Sequence, residues 1–244
     1  MSTTSLSWLL TGKLAITISL LGLFIVVARR LGSRAAVWSA AALLTSASLG
    51  VALLPSILGA FAISGLVALV TLGFITPPRA WRLMIWPITV SFALILCVGR
   101  VGCWLAGCCF GEVTHGWWAT QYTTESFIAA YHLDRYGALV EGLPHPVHSV
   151  QLYESLAVAF ALALACLARK RWGEVSAALG LTASYIGIRA LIDPLRASVN
   201  TLSSLEAWGP LSRFQWTCLT VTLILLWYAS RARVSPTLAL AQRP

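Results

Sequence analysis

Charge is what this 244-residue chain has least of: Asp, Glu, Lys and Arg together make up 10% of it, against roughly a quarter in soluble domains. Acids are the scarcer kind, 8 against 17 Lys and Arg. Low-complexity tracts and internal repeats are missing, and no Cys-x-x-Cys pair occurs. These shortages exclude an ordinary soluble domain, a charged disordered tail, a repeat array and a Cys-x-x-Cys redox or zinc fold. Apolar residues take up the space, at 58% of the chain with a mean hydropathy of +0.81. Uncharged runs reach the length of about 20 residues that a membrane-spanning helix needs. The chain is too small to add a large soluble domain, so one polytopic membrane domain over residues 1–244 is expected.

Apolar spans fall at residues 9–28, 35–54, 57–76, 83–99, 149–168, 175–192 and 213–230. They predict an all-α integral membrane protein of seven transmembrane helices. The first span lacks the basic start and small-x-small cleavage site of a signal peptide, and is read as a retained helix. Basic clusters follow alternate spans: Arg29, Arg30 and Arg34; Arg79 and Arg82; Arg169, Lys170 and Arg171; Arg231, Arg233 and Arg243. The positive-inside rule puts these clusters in the cytoplasm, with the N-terminus outside and the C-terminus inside. Such clusters report topology, and no nucleic-acid partner is expected from the net charge of +9. Two external segments remain, about 100–148 between the fourth and fifth spans and about 193–212. The first holds all four histidines, His115, His132, His145 and His148.

Polar residues at the outer span ends stand out, because ionisable groups at membrane depth are costly and mark functional sites. Arg100 and Arg189 are two of them. On a helix, Tyr185, Arg189, Asp193 and Arg196 fall on one stripe, which Pro194 kinks or ends. Asp193 could simply neutralise one arginine while Arg196 reaches the interface. A third group is His148-Ser149-Val150-Gln151-Leu152-Tyr153-Glu154-Ser155, in which Gln151 and Glu154 can both face a bundle interior. Ser149 as an N-cap and Glu154 as a first-turn acid would explain only part of that set. Guanidiniums suit phosphate through paired hydrogen bonds, so an anionic phospholipid head group is the expected ligand.

The stretch Gly99-Arg100-Val101-Gly102-Cys103-Trp104-Leu105-Ala106-Gly107-Cys108-Cys109-Phe110-Gly111 adds three cysteines to Arg100. If 100–111 is helical, Cys103 and Gly107 share the Arg100 face, Cys108 lies to its side and Cys109 points away. The glycines then let a lipid or a helix approach closely. Cys97, Cys166 and Cys218 lie in apolar runs and are read as small core residues. For the other three, several readings stand side by side. One is a thiolate made reactive by the arginine. Another is a Cys103–Cys108 disulfide, which would suit a membrane thiol-disulfide oxidoreductase. Zinc held with His115, His132, His145 or His148 would need a spacing outside the usual patterns, and no metal is expected. Packing is the plain reading, above all for Cys109.

Taken together, these motifs resemble the prolipoprotein diacylglyceryl transferase family. Gly99-Arg100-Val101-Gly102 through Gly111 is similar to its Gly-Arg-x-Gly-Asn-Phe-x-Asn-x-Glu-x-x-Gly signature. His148-Ser149-Val150-Gln151-Leu152-Tyr153-Glu154 resembles its His-Pro-Ser-Gln-Leu-Tyr-Glu, and Tyr185-x3-Arg189-x3-Asp193-x2-Arg196 its Tyr-x3-Arg-x3-Glu-x2-Arg. Gln215 stands where the family opens its last helix with a glutamine. The resemblance implies a multi-pass enzyme of the bacterial cytoplasmic (inner) membrane. It would move the diacylglyceryl group of phosphatidylglycerol to the cysteine thiol of a lipobox-containing precursor peptide, without a cofactor. It further implies that Arg100 and Arg189 clamp the phosphate, that Tyr153 and Glu154 order the site, and that Tyr185 and Asp193 orient Arg189. Cys103, Ala106 and Cys108 replace the family's Asn, Asn and Glu, and its His-Gly-Gly motif has only Ile63-Ser64-Gly65 opposite it. A proton acceptor for the thiol would then come from His148, Glu154 or His115. A paralogue that binds phospholipid without catalysis is the alternative this loss suggests.

Overall fold

The computed structural model describes residues 78–137, 139–197 and 207–232. The spans expected at 9–28, 35–54 and 57–76 lie outside the described residues. The other four are helices: α1, Pro78–Ala106, which begins five residues before and ends seven residues after the expected 83–99; and, within four residues of the expected limits, α3, Val150–Trp172; α4, Glu174–Ile192; and α5, Arg213–Arg231. A short helix within the external segment, α2, Phe127–Tyr136, was not expected. Among the described residues, three stretches are long and apolar enough to cross a membrane: Ile85–Ala106, Val150–Trp172 and Glu174–Leu195. The threonines and terminal arginines of α5 keep it out of that group. The result is a mostly helical chain of membrane type.

Residues from Phe92 onward belong to one compact unit, and it carries the features that follow. Within it, α3 and α4 form an antiparallel hairpin turned at Gly173. Arg169 and Glu174 pair across the turn at 3.1 Å on a partly exposed surface, where such a pair contributes little. The other end of the hairpin, on the order of 35 Å away for a helix of this length, holds Gln151, Glu154 and Arg189. Small buried residues on α4, including Ser176, Ala177 and Ala183, let α5 approach closely. Ser176 donates to the Ala229 carbonyl at 2.7 Å there. Between α1 and α3 a reciprocal clasp forms: Ser155 Oγ donates to the Cys97 carbonyl at 2.9 Å, and Cys97 Sγ to the Ser155 carbonyl at 3.5 Å. The clasp sets the helix register and leaves Arg100, one turn beyond Cys97, opposite Glu154.

The segment after α1 corrects the reading of 100–111 as one helix. The helix stops at Ala106, because Gly107 takes a left-handed conformation at φ 65°. Gly107 N–H then donates to the Trp104 carbonyl and Cys108 N–H to the Cys103 carbonyl, each at 3.1 Å. This is the paired bonding of a Schellman cap, which brings the residue two past the helix end back over its last turn. Residues beyond the cap lie between two other segments. Gly111 and Glu112 exchange backbone hydrogen bonds with His148, and Glu112 N–H reaches the Leu195 carbonyl at 2.9 Å. Phe110, Ile128, Val147 and Ala197 form a small buried core beside this layer.

Two further expectations change. Ser149 occupies the N-cap of α3, but its hydroxyl makes no capping bond and meets the Thr120 hydroxyl instead. Cys166 lies on an exposed helix surface, whereas Cys218 is buried. Each lies in an apolar run, Cys166 on α3 and Cys218 on α5, and the runs alone do not say which face is covered.

Gly111 leaves no space for a side chain. An added Cβ would lie 2.5 Å from the Leu195 carbonyl oxygen and 2.6 Å from His148 Cβ. Gly111→Ala should therefore lower thermal stability in detergent by about 1–3 kcal/mol. Gly180→Ala, with nothing within 4 Å of the new Cβ, should be neutral or stabilise by up to about 1 kcal/mol. Equal melting shifts for the two variants would refute the layered packing at Gly111.

Candidate functional site

Glu154 is fully buried one turn inside α3, and its carboxylate gathers two arginines from distant segments. Arg100 donates through Nη2 to Oε1 and through Nε to Oε2, both at 3.0 Å. Arg196 Nη2 donates to the same Oε2 at 2.8 Å. The capping role considered for Glu154 is thereby replaced: no acid serves the first turn of α3, and this one is committed to guanidiniums.

The stripe expected at the end of α4 is present in altered form. The α-helix ends at Ile192, and Asp193–Leu195 continues it as a single 3-10 turn with Pro194. Arg189 Nη1 and Asp193 Oδ1 lie 3.3 Å apart, one helical turn from each other. Arg189 also stacks over the Phe214 ring, 5.8 Å from its centre. Arg196 does not reach the interface, for it is buried and turned towards Glu154. The Tyr185 phenol lies within the electrostatic reach of Arg100, Arg189, Arg196 and Glu154. Burial first, then the like charges of Arg189 and Arg100, lower the Arg196 pKa, while Glu154 opposes them. Three buried guanidiniums thus face two buried carboxylates. A neutral arrangement would need one carboxylate more, and the surplus is positive.

The buried polar atoms that have no hydrogen-bond partner among the described residues include Arg196 Nε, a donor, and Gln151 Oε1, an acceptor. Buried polar groups are nearly always satisfied, so a pair of opposite kinds suits a ligand with both donors and acceptors. Gln151 uses its other end, donating through Nε2 to the Cys108 carbonyl at 2.7 Å and to the Tyr122 hydroxyl at 3.5 Å.

The cysteines gather where the helical reading had separated them. The Sγ atoms of Cys103, Cys108 and Cys109 all lie within 4.8 Å of one another, and none of the chain's six cysteines is joined in a disulfide. Cys109 points inward, not away, because its own backbone is left-handed at φ 57°. Hydrogen bonding to the Cys103 and Cys109 thiols, and then burial, pushes the Cys108 thiol up. Hydrogen bonds from Cys103 and Cys108 pull Cys109 down, with Arg100 and Arg196 adding to the effect against the cost of burial. The same hydrogen bonds thus act in opposite directions on the two neighbouring thiols, up at Cys108 and down at Cys109.

The remaining expected residues are distributed around this centre. His148 Nδ1 and the Tyr153 hydroxyl lie 3.5 Å apart and face each other. Gly102 and Gly107 are buried, and Gly99 borders open space. His115 is exposed on the external loop. His132 and His145 stack near Tyr136, and no histidine joins the thiol cluster among the described residues. Tyr122, not singled out from the sequence, bridges Gln151 and the cap glycine, where its ring would lie 3.1 Å from an added Cβ. Cys109 was dismissed on a helical wheel. The signal that would have placed it is Gly107, a helix stop followed by a reversal.

The family model described as prolipoprotein diacylglyceryl transferase matches residues 55–230, most of the chain and all of the site. The chain belongs to the prolipoprotein diacylglyceryl transferase family. No curated protein matches it. Family membership makes the function transferase-like and places it in lipoprotein biosynthesis, on a framework of membrane-type helices.

Glu154→Gln would leave Arg100 and Arg196 buried without their counter-charge. Breaking a buried ion pair by removing one partner costs about 3–5 kcal/mol. Thermal unfolding in detergent should show a loss of that order, and Glu154→Gln combined with Arg196→Gln should lose less than the sum of the two single changes. Strict additivity would mean that the two side chains do not form one unit.

Proposed function

We propose that this protein transfers the diacylglyceryl group of phosphatidylglycerol to the thiol of a lipobox cysteine in a precursor peptide, in the bacterial cytoplasmic membrane. The observation that carries this reading is the surplus of buried guanidinium charge at one end of the α3–α4 hairpin. In the reaction, the acceptor sulfur forms a bond to the glyceryl carbon as the carbon–oxygen bond to phosphate breaks. The electron pair leaves with the phosphate, whose negative charge grows along the path. Arg100 and Arg189 are suited to meet that charge with directed donors in a place where water does not compete. Arg196 Nε offers a further unused donor.

Glu154 already accepts from two arginines, so in this reading it positions them and does not take the thiol proton. Asp193 and the Phe214 ring do the same for Arg189, and Tyr185 lies among the three cations. Gly99, with open space beside it, leaves room for the lipid next to Arg100, and the 100–148 segment receives the peptide. Tyr153 and His148 border that segment, and Gln151 Oε1 can accept a peptide N–H.

The test is transfer of labelled lipid from phosphatidylglycerol vesicles to a lipobox peptide by the purified chain. Arg100→Ala and Arg189→Ala should each reduce turnover by about 10²–10³-fold, the effect of removing one donor to a developing oxyanion. Arg189→Lys should retain part of it. A wild-type chain that binds the lipid yet transfers nothing would support the non-catalytic paralogue instead. Activity unchanged in both alanine variants would end the phosphate-clamp reading.

A further inference from the structure

Three thiols converge at the end of α1. The cap folds Cys108 back over Cys103 through its paired backbone bonds. A second left-handed residue, Cys109, then turns the third thiol into the same space. Glycine is the usual occupant of that conformation, and a non-glycine residue there indicates a demand for its side chain. Gln151 from α3 holds the reversal by its bond to the Cys108 carbonyl. The three sulfurs lie within 4.8 Å of one another. A zinc ion bound at about 2.3 Å to each needs them about 3.8–4.0 Å apart, within reach of small side-chain rotations. The spacing argued against a metal because Cys-x4-Cys-Cys is not a standard ligand pattern; the cap supplies the geometry that the spacing lacks.

We propose that Cys103, Cys108 and Cys109 bind one zinc ion through three thiolates and leave its fourth position to a thiol from outside the chain. Three protein ligands with an open fourth position are the arrangement of reactive zinc sites. A thiol that coordinates there gives its proton to solvent and is held as thiolate. The open position deepens the transferase reading and rests on it, whereas the three-thiolate site does not. On that reading the coordinated sulfur attacks the glyceryl carbon and the phosphate departs with the bonding pair. Nothing is oxidised or reduced.

The full-length chain, purified in detergent under reducing conditions, is loaded with zinc or cobalt(II) alone. About one metal per chain is expected, with cobalt giving a thiolate charge-transfer band and tetrahedral d–d bands. Cys103→Ser, Cys108→Ser and Cys109→Ser should each lose or alter those bands, and Cys166→Ser should not. Zinc should also shield three of the six thiols of the wild-type chain from alkylation, a measurement that needs no variant to fold. A lipobox peptide should shift the d–d bands, and its Cys→Ser version should not. Metal binding below a tenth of an equivalent, alkylation indifferent to zinc, or an intact mass showing a disulfide within the cluster would overturn the site. A metal bound as expected with no peptide-induced shift would overturn the open fourth position. Neither result depends on lipid transfer, so the failure of this proposal and that of the transferase reading are told apart.

Discussion

A carboxylate buried at the end of a membrane-type helix is the constraint around which the described structure is arranged. Removing Glu154 from water costs several kcal/mol, and attraction repays that only where geometry and hydrogen bonding are close to complete. Its two oxygens achieve this by accepting from Arg100 on α1 and Arg196 beyond α4, at 2.8–3.0 Å. Three segments are thereby bound to one residue, and each must arrive in register. The Cys97–Ser155 clasp sets α1 against α3. The 3-10 turn at Asp193–Leu195 and the bridge from Arg196 to Gly111 set the third segment. A longer α-helix after Ile192 would carry Arg196 elsewhere, which is why Pro194 matters more for position than for termination.

How much of this could be read from the chain depended on whether the information was local. Helix positions were legible because uncharged runs of spanning length have few other solutions; three of the four described spans needed only small changes at their ends, whereas α1 runs past the uncharged stretch at both ends, through Arg79 and Arg82 and through Arg100. The Arg189–Asp193 pair was legible for the same reason, as both lie on one helix a turn apart. Glu154 was picked out by its depth, but its partners stand 54 and 42 residues away, and periodicity within one helix says nothing about such pairs. The external helix Phe127–Tyr136 escaped notice because it is short and carries only a few buried residues, Ile128, Ala129 and His132. The cysteines show the opposite failure. A helical wheel extended across Gly107 placed Cys109 on the far side, though a glycine with a following reversal was available to end the wheel.

Family membership and local chemistry inform different parts of the site. The arginines, Glu154 and the close-packed Gly111 have clear physical roles in this chain, as an ion-paired group and a tight backbone layer. Cysteines at 103, 108 and 109 set soft-ligand and thiolate chemistry beside that hydrogen-bonded group. The two clusters adjoin on α1: Arg100 reaches across to Glu154 on α3, whereas the cap folds Cys108 back over Cys103, one turn beyond Arg100.

The two clusters are nevertheless one mechanical unit. Phe110 and Gly111 follow Cys109 directly, and Ala197 N–H donates to the Phe110 carbonyl at 3.3 Å. Arg196 precedes Ala197, so a displacement of the thiol turn is passed to the arginine through two residues of backbone. Gln151 ties the same turn to α3, a single helical turn before Glu154. Any event that tightens the three sulfurs will therefore pull on the segments that hold Arg196 and Gln151. Whatever ligand the thiols hold is thereby coupled to the buried guanidinium group, without an intervening flexible link. The coupling is short, since it runs through fixed backbone hydrogen bonds and a glycine with no free space. A site of this kind can place a sulfur and a phosphate relative to each other with little freedom, which is the condition that displacement at a single carbon requires.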